Sequence, residues 1–439
     1  MGEATIIPNS HEPVWHYWWR SGRLSQYLLL LACLAGVAGL LASRALVALS
    51  PVAGVVAALL NPALGHSLLQ WCRLRTVWAP AGLYLLLLLS GFYTHEWAVW
   101  RHETFRLLPW LGVPLAFGVA VPLSRRQQFG VGVWHVGGTA LVGLATLGQY
   151  FGRATAANES FGLGHSMPSV TGIFHIHFGL MLALAACFAV LLRRSVQATP
   201  LVKLMLAAAA LVCVATLHLL AYRTGLLVLY SMALLDVLRL LVRRRLLLGL
   251  LALLLLVLVP WVAYETLEPV QQRVHASYWD LLQFQQGHDI NQYSLSRRIA
   301  AWHNALSVAS RHPLLGVGPA DAYQAMMEQY NRVDFGLLPK NRVMIHNQYL
   351  HQLVGGGLLG LSLWLLVLFG PLMQPALRRN PYVYHFLFMQ ATAMLVDSLL
   401  ELQIGFNLFV FCYGFLVVAA ERRATTEAES GKPSVLRTV

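Results

Sequence analysis

Stretches of roughly 17 to 25 apolar residues, each enough to cross a bilayer, recur along this chain almost without interruption. A segment in lipid must satisfy its own backbone hydrogen bonds, which leaves the α-helix as its natural form. Of 439 residues, 57% are hydrophobic and 11% charged, whereas soluble domains carry about 25% charged residues. A very large soluble core would need far more polar surface than this. The expectation is an all-α polytopic membrane protein.

Hydropathy predicts about twelve spans, with cores near 25–43, 45–60, 77–93, 107–123, 131–151, 169–192, 201–221, 225–242, 246–264, 346–370, 382–400 and 403–420. The second is interrupted by Pro51, and the last two abut so closely that Asp397, Glu401 and Gln403 fall at their turn. The chain thus divides into an N-terminal bundle over 1–264, a polar loop domain over 265–345, C-terminal helices over 346–424 and a polar tail over 425–439, expected to be disordered. Trp15, Trp18 and Trp19 lead into the first span as an interfacial anchor rather than a cleaved signal.

The net charge of +13 does not point to nucleic acid. Only Lys203, Lys340 and Lys432 are lysines, and most arginines stand in short pairs between spans, as topology determinants do. Connections on one side carry Arg73, Arg75, Arg125, Arg126, Arg193, Arg194, Arg243, Arg244, Arg245, Arg378, Arg379 and others. Short loops on the other hold only Arg44, Arg101, Arg106, Arg153 and Arg223. The positive-inside rule then places both termini in the cytoplasm and 265–345 on the far side. The five cysteines lie in or beside spans, with no disulfide framework and no zinc spacing.

Within the loop, Ser296 is a candidate cap for a helix whose apolar face is Ile299, Trp302, Leu306 and Ala309. Pro313 should stop it, and the Gly316–Pro319 turn should start another at Pro319. Arg297 and Arg298 sit at the first helix's start, where a guanidinium fork and helix amides suit a phosphate. Arg223 falls at a span junction; its plainer reading is an arginine reaching lipid phosphates. His346 opens the span after the loop and has the side chain best suited to proton transfer near neutrality. Asp397 and Glu401 are costly at a span end and are expected to pair with an arginine, in structural or positioning roles. His351 should pack within the bundle, and Gly355–Gly357 should permit close packing or a bend. Two fixed cations and an imidazole on one face can grip a pyrophosphate and deprotonate a hydroxyl. No Asp-x-Asp triad, P-loop or Gly-x-Ser-x-Gly elbow is present.

The span junction Arg223-Thr224-Gly225, the run from Arg298 through Trp302 to His312-Pro313 and Gly316-Val317-Gly318, and His346-Asn347-Gln348-Tyr349-Leu350 together resemble the O-antigen ligase family. That group acts on polyprenyl-linked glycans and is similar to GT-C glycosyltransferases. The resemblance implies metal-independent, cofactor-free, inverting transfer of O-antigen from undecaprenyl pyrophosphate to lipid A–core. The implied place is the periplasmic face of a Gram-negative inner membrane. It further implies that Arg223 and Arg298 bind the donor pyrophosphate and that His346 orients or deprotonates the acceptor hydroxyl. Arg297, Asn347 and Tyr349 are possible additional contacts, and alignment on Trp302 favours Arg298 over Arg297. An O-antigen polymerase or protein O-oligosaccharyltransferase would share the donor chemistry. A lipid-linked glycan transporter is the alternative of a different class.

Overall fold

The computed structural model describes residues 13–162, 165–333 and 335–429, which are helical, with no strand among them. The transmembrane bundle contains α1 (Arg23–Ala42), α2 (Arg44–Leu59), α3 (Trp78–Ser90), α4 (Pro109–Val119), α5 (Arg125–Phe151), α6 (His175–Leu192), α7 (Pro200–Leu219), α8 (Arg223–Val242) and α9 (Leu246–Thr266). The loop domain holds α10 (Glu268–Gln285), α11 (Ser294–Arg311) and α12 (Ala322–Arg332). The chain then returns through α13 (Gln348–Phe369), α14 (Pro381–Ala393) and α15 (Gln403–Cys412), which runs on to Glu429 through a π-turn at Tyr413–Val418.

Among the described residues, eight helices are long and apolar enough to cross a membrane, or nine if the pair Arg44–Leu59 and Leu64–Cys72, bent by 115°, counts as one span. The expected twelve include four that fall short of that length on their own. The other expected spans form shorter helices: α2 has 16 residues, α3 and α14 have 13 each, and α4 has 11. At 1.5 Å per residue, α4 covers only about half of a bilayer's hydrocarbon core of about 30 Å. Hydropathy counts the apolar residues in the flanking turns as well, so it sees longer segments than the helices themselves. Pro51 lies inside α2 without ending it.

These shorter helices still connect the same two ends of the bundle. At one end, Ser25 Oγ donates to Ala57 O (2.6 Å), Asn61 Nδ2 to Val119 O (2.5 Å), and Glu421 accepts the amides of Arg75 and Thr76. At the other, Arg106 Nη1 donates to Leu400 O (2.9 Å) and Thr94 Oγ1 to Asp321 Oδ2. The loop domain sits at this second end.

Lipid tails are as apolar as leucine, so helices in a membrane associate through close packing of small residues. Gly39 is such a contact between α1 and α2: a Cβ there would lie 2.5 Å from Val47 N. α6 is the central helix, buried over 83% of its length, and packs against α5, α7, α8 and α14. Its Gly179 meets Gly225 at the start of α8, where a Cβ on Gly225 would come within 2.7 Å of Gly179 O.

The loop domain has its own core of Ala300, Ala301, Ala305, Val308, Met326, Tyr330 and Ile345. α11 starts at Ser294, and Ser296 is buried inside it with its hydroxyl on Asp280 O rather than capping it. Of the expected face Ala309 is buried and Trp302 packs against the core, but Leu306 is exposed, and alanines supply most of the buried face. The next helix begins at Ala322, three residues beyond Pro319. Between α11 and α12, Pro313–Gly318 inserts beside α13, whose helical path breaks at Gly357 (φ 61°, ψ −159°). There Val317 N donates to Val354 O (2.9 Å), Gly318 N to Gly355 O (3.0 Å) and Leu358 N to Pro313 O (2.8 Å). The glycine run therefore provides both a break and a close approach.

The tail expected to be disordered from Thr425 stays helical to Glu429; the rest, with Lys432 and Arg437, lies outside the described residues. The anchoring Trp15, Trp18 and Trp19 lie on a short helix, Val14–Arg20, with all three rings exposed.

Candidate active site

His346 is held from both sides of its turn. Ahead of it, Trp302 Nε1 on α11 donates to Ile345 O (2.8 Å). Behind it, Asn347 caps α13, its Oδ1 accepting the amides of Tyr349 and Leu350 at 3.0 Å each. Asn347 also donates from Nδ2 to Leu395 O (2.9 Å) and from its backbone to Ser398 Oγ (3.1 Å), tying this turn to the one between α14 and α15. Between these anchors His346 takes φ +46°, the left-handed region that a residue with a Cβ seldom adopts.

The second turn supplies Asp397. His346 Nδ1 lies 2.7 Å from Asp397 Oδ1, and the carboxylate is 5% exposed. Burial alone would raise its pKa. The hydrogen bond and charge of His346, with Arg298 and His177 adding, outweigh that and hold the carboxyl below its usual range. An ionised acceptor on Nδ1 fixes the tautomer with the proton there, leaving the Nε2 lone pair available.

Arg298 Nη1 donates to Val396 O (2.7 Å), the residue before Asp397. Arg298 and Trp302, one turn apart on α11, thus brace the two turns that carry the dyad. Arg297 acts electrostatically on Asp280, Tyr330 and Arg298. The helix start is not an open phosphate cradle, because Leu295 N already donates to Asp280 Oδ2 (2.7 Å). Burial raises the Asp280 carboxyl above its usual range, although that amide, Arg223 and Arg297 pull it down.

Arg223 is the first residue of α8, after Ala221 at φ +44°. Its Nη1 donates to Ser277 Oγ on α10 (3.0 Å), and it acts electrostatically on Arg298. Arg223, Arg298 and His346, far apart in sequence, are therefore brought to one end of the bundle. Asn347 and Tyr349 are engaged within the turns, the Tyr349 hydroxyl donating to Ala391 O (2.9 Å).

The structure corrects the expected arginine pairing of the two acids. The direct partner of Asp397 is His346, and Glu401 lies 3.1 Å from Nε2 of His351, which is buried as anticipated. Sequence reasoning also missed His175, His177 and Arg273. Arg273, on α10 and 3% exposed, donates to Ser166 Oγ (2.6 Å) and His165 O, lies over the Phe161 ring, and acts electrostatically on His175. Only the sequence Phe174-His175-Ile176-His177, polar groups at the mouth of an apolar span, offered a signal for the histidines. Among the described residues no cluster of three or more His, Cys, Asp or Glu is arranged to hold a metal ion.

Residues 208–365 match the family model described as O-antigen ligase. That segment runs from α7 through the loop domain into α13, and it contains Arg223, Arg298 and His346, while Asp397 lies beyond it. No curated protein matches the chain.

Proposed function

We propose that this multi-pass membrane protein, which carries an O-antigen ligase family segment over residues 208–365, joins a glycan from undecaprenyl pyrophosphate to a hydroxyl of lipid A–core. The observation that carries the reading is the 2.7 Å His346–Asp397 pair, in turns braced by Arg298 through Val396 O. Nε2 of His346 takes the proton of the acceptor hydroxyl, and the oxygen attacks the anomeric carbon opposite the pyrophosphate. The bond from that carbon to the phosphate oxygen breaks, its electron pair leaves with undecaprenyl pyrophosphate, and the configuration inverts. Asp397 stabilises the imidazolium formed. Arg223 and Arg298 neutralise charge growing on the leaving oxygen, an effect commonly worth about 3 kcal/mol. Proton abstraction by a positioned base contributes a factor of about 10² to 10⁴. The loop end of the bundle faces the periplasm of a bacterial inner membrane, with both termini in the cytoplasm.

Purified protein should transfer glycan to lipid A–core in the presence of EDTA. His346→Ala should lose that transfer by about 10² or more while inserting and eluting like wild type. Full activity in that variant would remove His346 from the mechanism. Extension of a second donor molecule, or glycosylation of an acceptor protein, in place of lipid A–core would instead identify a polymerase or a protein oligosaccharyltransferase.

A further inference from the structure

We propose that His175 is a further contact for the donor diphosphate, its imidazole N–H hydrogen-bonding a phosphate oxygen held between Arg223 and Arg298. The inference rests on the donor chemistry proposed above and adds a residue from a helix outside the matched segment.

Its place follows from helix packing. Gly179, one turn into α6, lies against Tyr222 and Gly225 at the start of α8; a Cβ on Gly179 would sit 3.2 Å from Tyr222 Cβ and 3.4 Å from Gly225 Cα. The first turns of α6 and α8 therefore lie side by side. His175, the first residue of α6, has its ring 6.3 Å from that of Tyr222, the neighbour of Arg223. Phe174 flanks the imidazole on the other side, with ring centroids 4.2 Å apart.

The charges around it set it apart from the other histidines here. Arg273, Arg223 and Arg298 all act electrostatically on His175, and so does Asp397. The imidazole therefore shares the field of the arginines assigned to the donor and of the carboxylate that orients His346, and the packing of α6 on α8 sets it beside the start of the helix that carries Arg223. His346 spends one ring nitrogen on Asp397, and His351 one on Glu401. Neither ring nitrogen of His175 has a hydrogen-bond partner among the described residues, and the side chain is only partly exposed, packed between Phe174 and Tyr222. An imidazole with no carboxylate hydrogen-bonded to it, in the field of three guanidinium groups, is equipped to donate its N–H to an anion. A base for the acceptor needs the opposite setting, which is that of His346.

The test is binding of undecaprenyl diphosphate to full-length protein in detergent micelles, with undecaprenyl monophosphate as the comparison. Wild type, Arg298→Gln, His175→Ala and His175→Gln are compared, with monodispersity and melting temperature measured for each. A hydrogen bond to a charged group predicts a Kd for the diphosphate about tenfold or more higher in His175→Ala. Binding should be partly restored in His175→Gln, whose side-chain amide is also a donor. A purely structural role would give loss in both variants with lowered melting temperatures, and that would overturn the assignment. Wild-type binding that falls in Arg298→Gln but not in His175→Ala would refute the role of His175 and leave the donor site standing. No diphosphate binding by wild type would refute both.

Discussion

At the scale of single residues, the site depends on how its imidazole is held. A left-handed backbone at His346 costs about 1 to 2 kcal/mol. The capping of α13 by Asn347 and the bond from Trp302 to Ile345 O offset it. Asp397 then fixes the ring. Asp397→Asn keeps the shape but removes the ionised acceptor, so kcat should fall by about 10², with a smaller change in KM, in the transfer assay. The carboxyl is held below its usual range, so its stabilising contribution is fully present above the unfolded carboxyl pKa of about 3.9. That contribution is lost as pH falls through the folded value. The melting difference between wild type and Asp397→Asn should accordingly close as the pH falls below about 4. A gap that widened on that acid side would contradict the assignment.

At the scale of elements, the break in α13 links the loop domain to the bundle. Gly357 adopts φ 61°, and a Cβ there would lie 2.3 Å from Leu314 C and O, inside the inserted Pro313–Gly318 segment. Gly357→Ala adds backbone strain to that clash and should destabilise the fold by about 2 kcal/mol or more. The loss would be read as a lowered melting temperature and reduced monodisperse yield. Gly370→Ala, at the end of the same helix, is the control. Its Cβ meets nothing within 4 Å and its φ is −54°, so it should melt within a degree or two of wild type. Equal losses in both variants would mean that the insertion does not hold the break.

At the scale of the whole molecule, the helices that cross between the two ends separate the loop domain from the opposite end, where exposed Cys72 lies near the α4 terminus. The proposed periplasmic orientation of the loop domain predicts that a Ser310→Cys variant, exposed on α11, reacts with a membrane-impermeant maleimide once the outer membrane is permeabilised. Cys72 should react only after the inner membrane is opened. The reverse pattern would invert the orientation argued from the arginine count.

The run lengths and near-absence of charge determined that the chain is helical and crosses a membrane many times, because lipid forces each apolar segment to satisfy its own backbone. The local motifs singled out Arg223, Arg298 and His346 as candidates for one site. Residue type and spacing are local properties, and a doubled Arg297-Arg298 already implied that one side chain faces the mouth. Only the tertiary structure showed that Arg298 braces the turn carrying Asp397, through its bond to Val396 O. It alone paired His346 with Asp397, 51 residues away. It also brought His175 and Arg273 to the site and shortened several expected spans into helices extended by turns. Lipid-facing and protein-facing apolar surfaces look alike along a membrane sequence, so the pattern that predicts the helices says little about which of them meet.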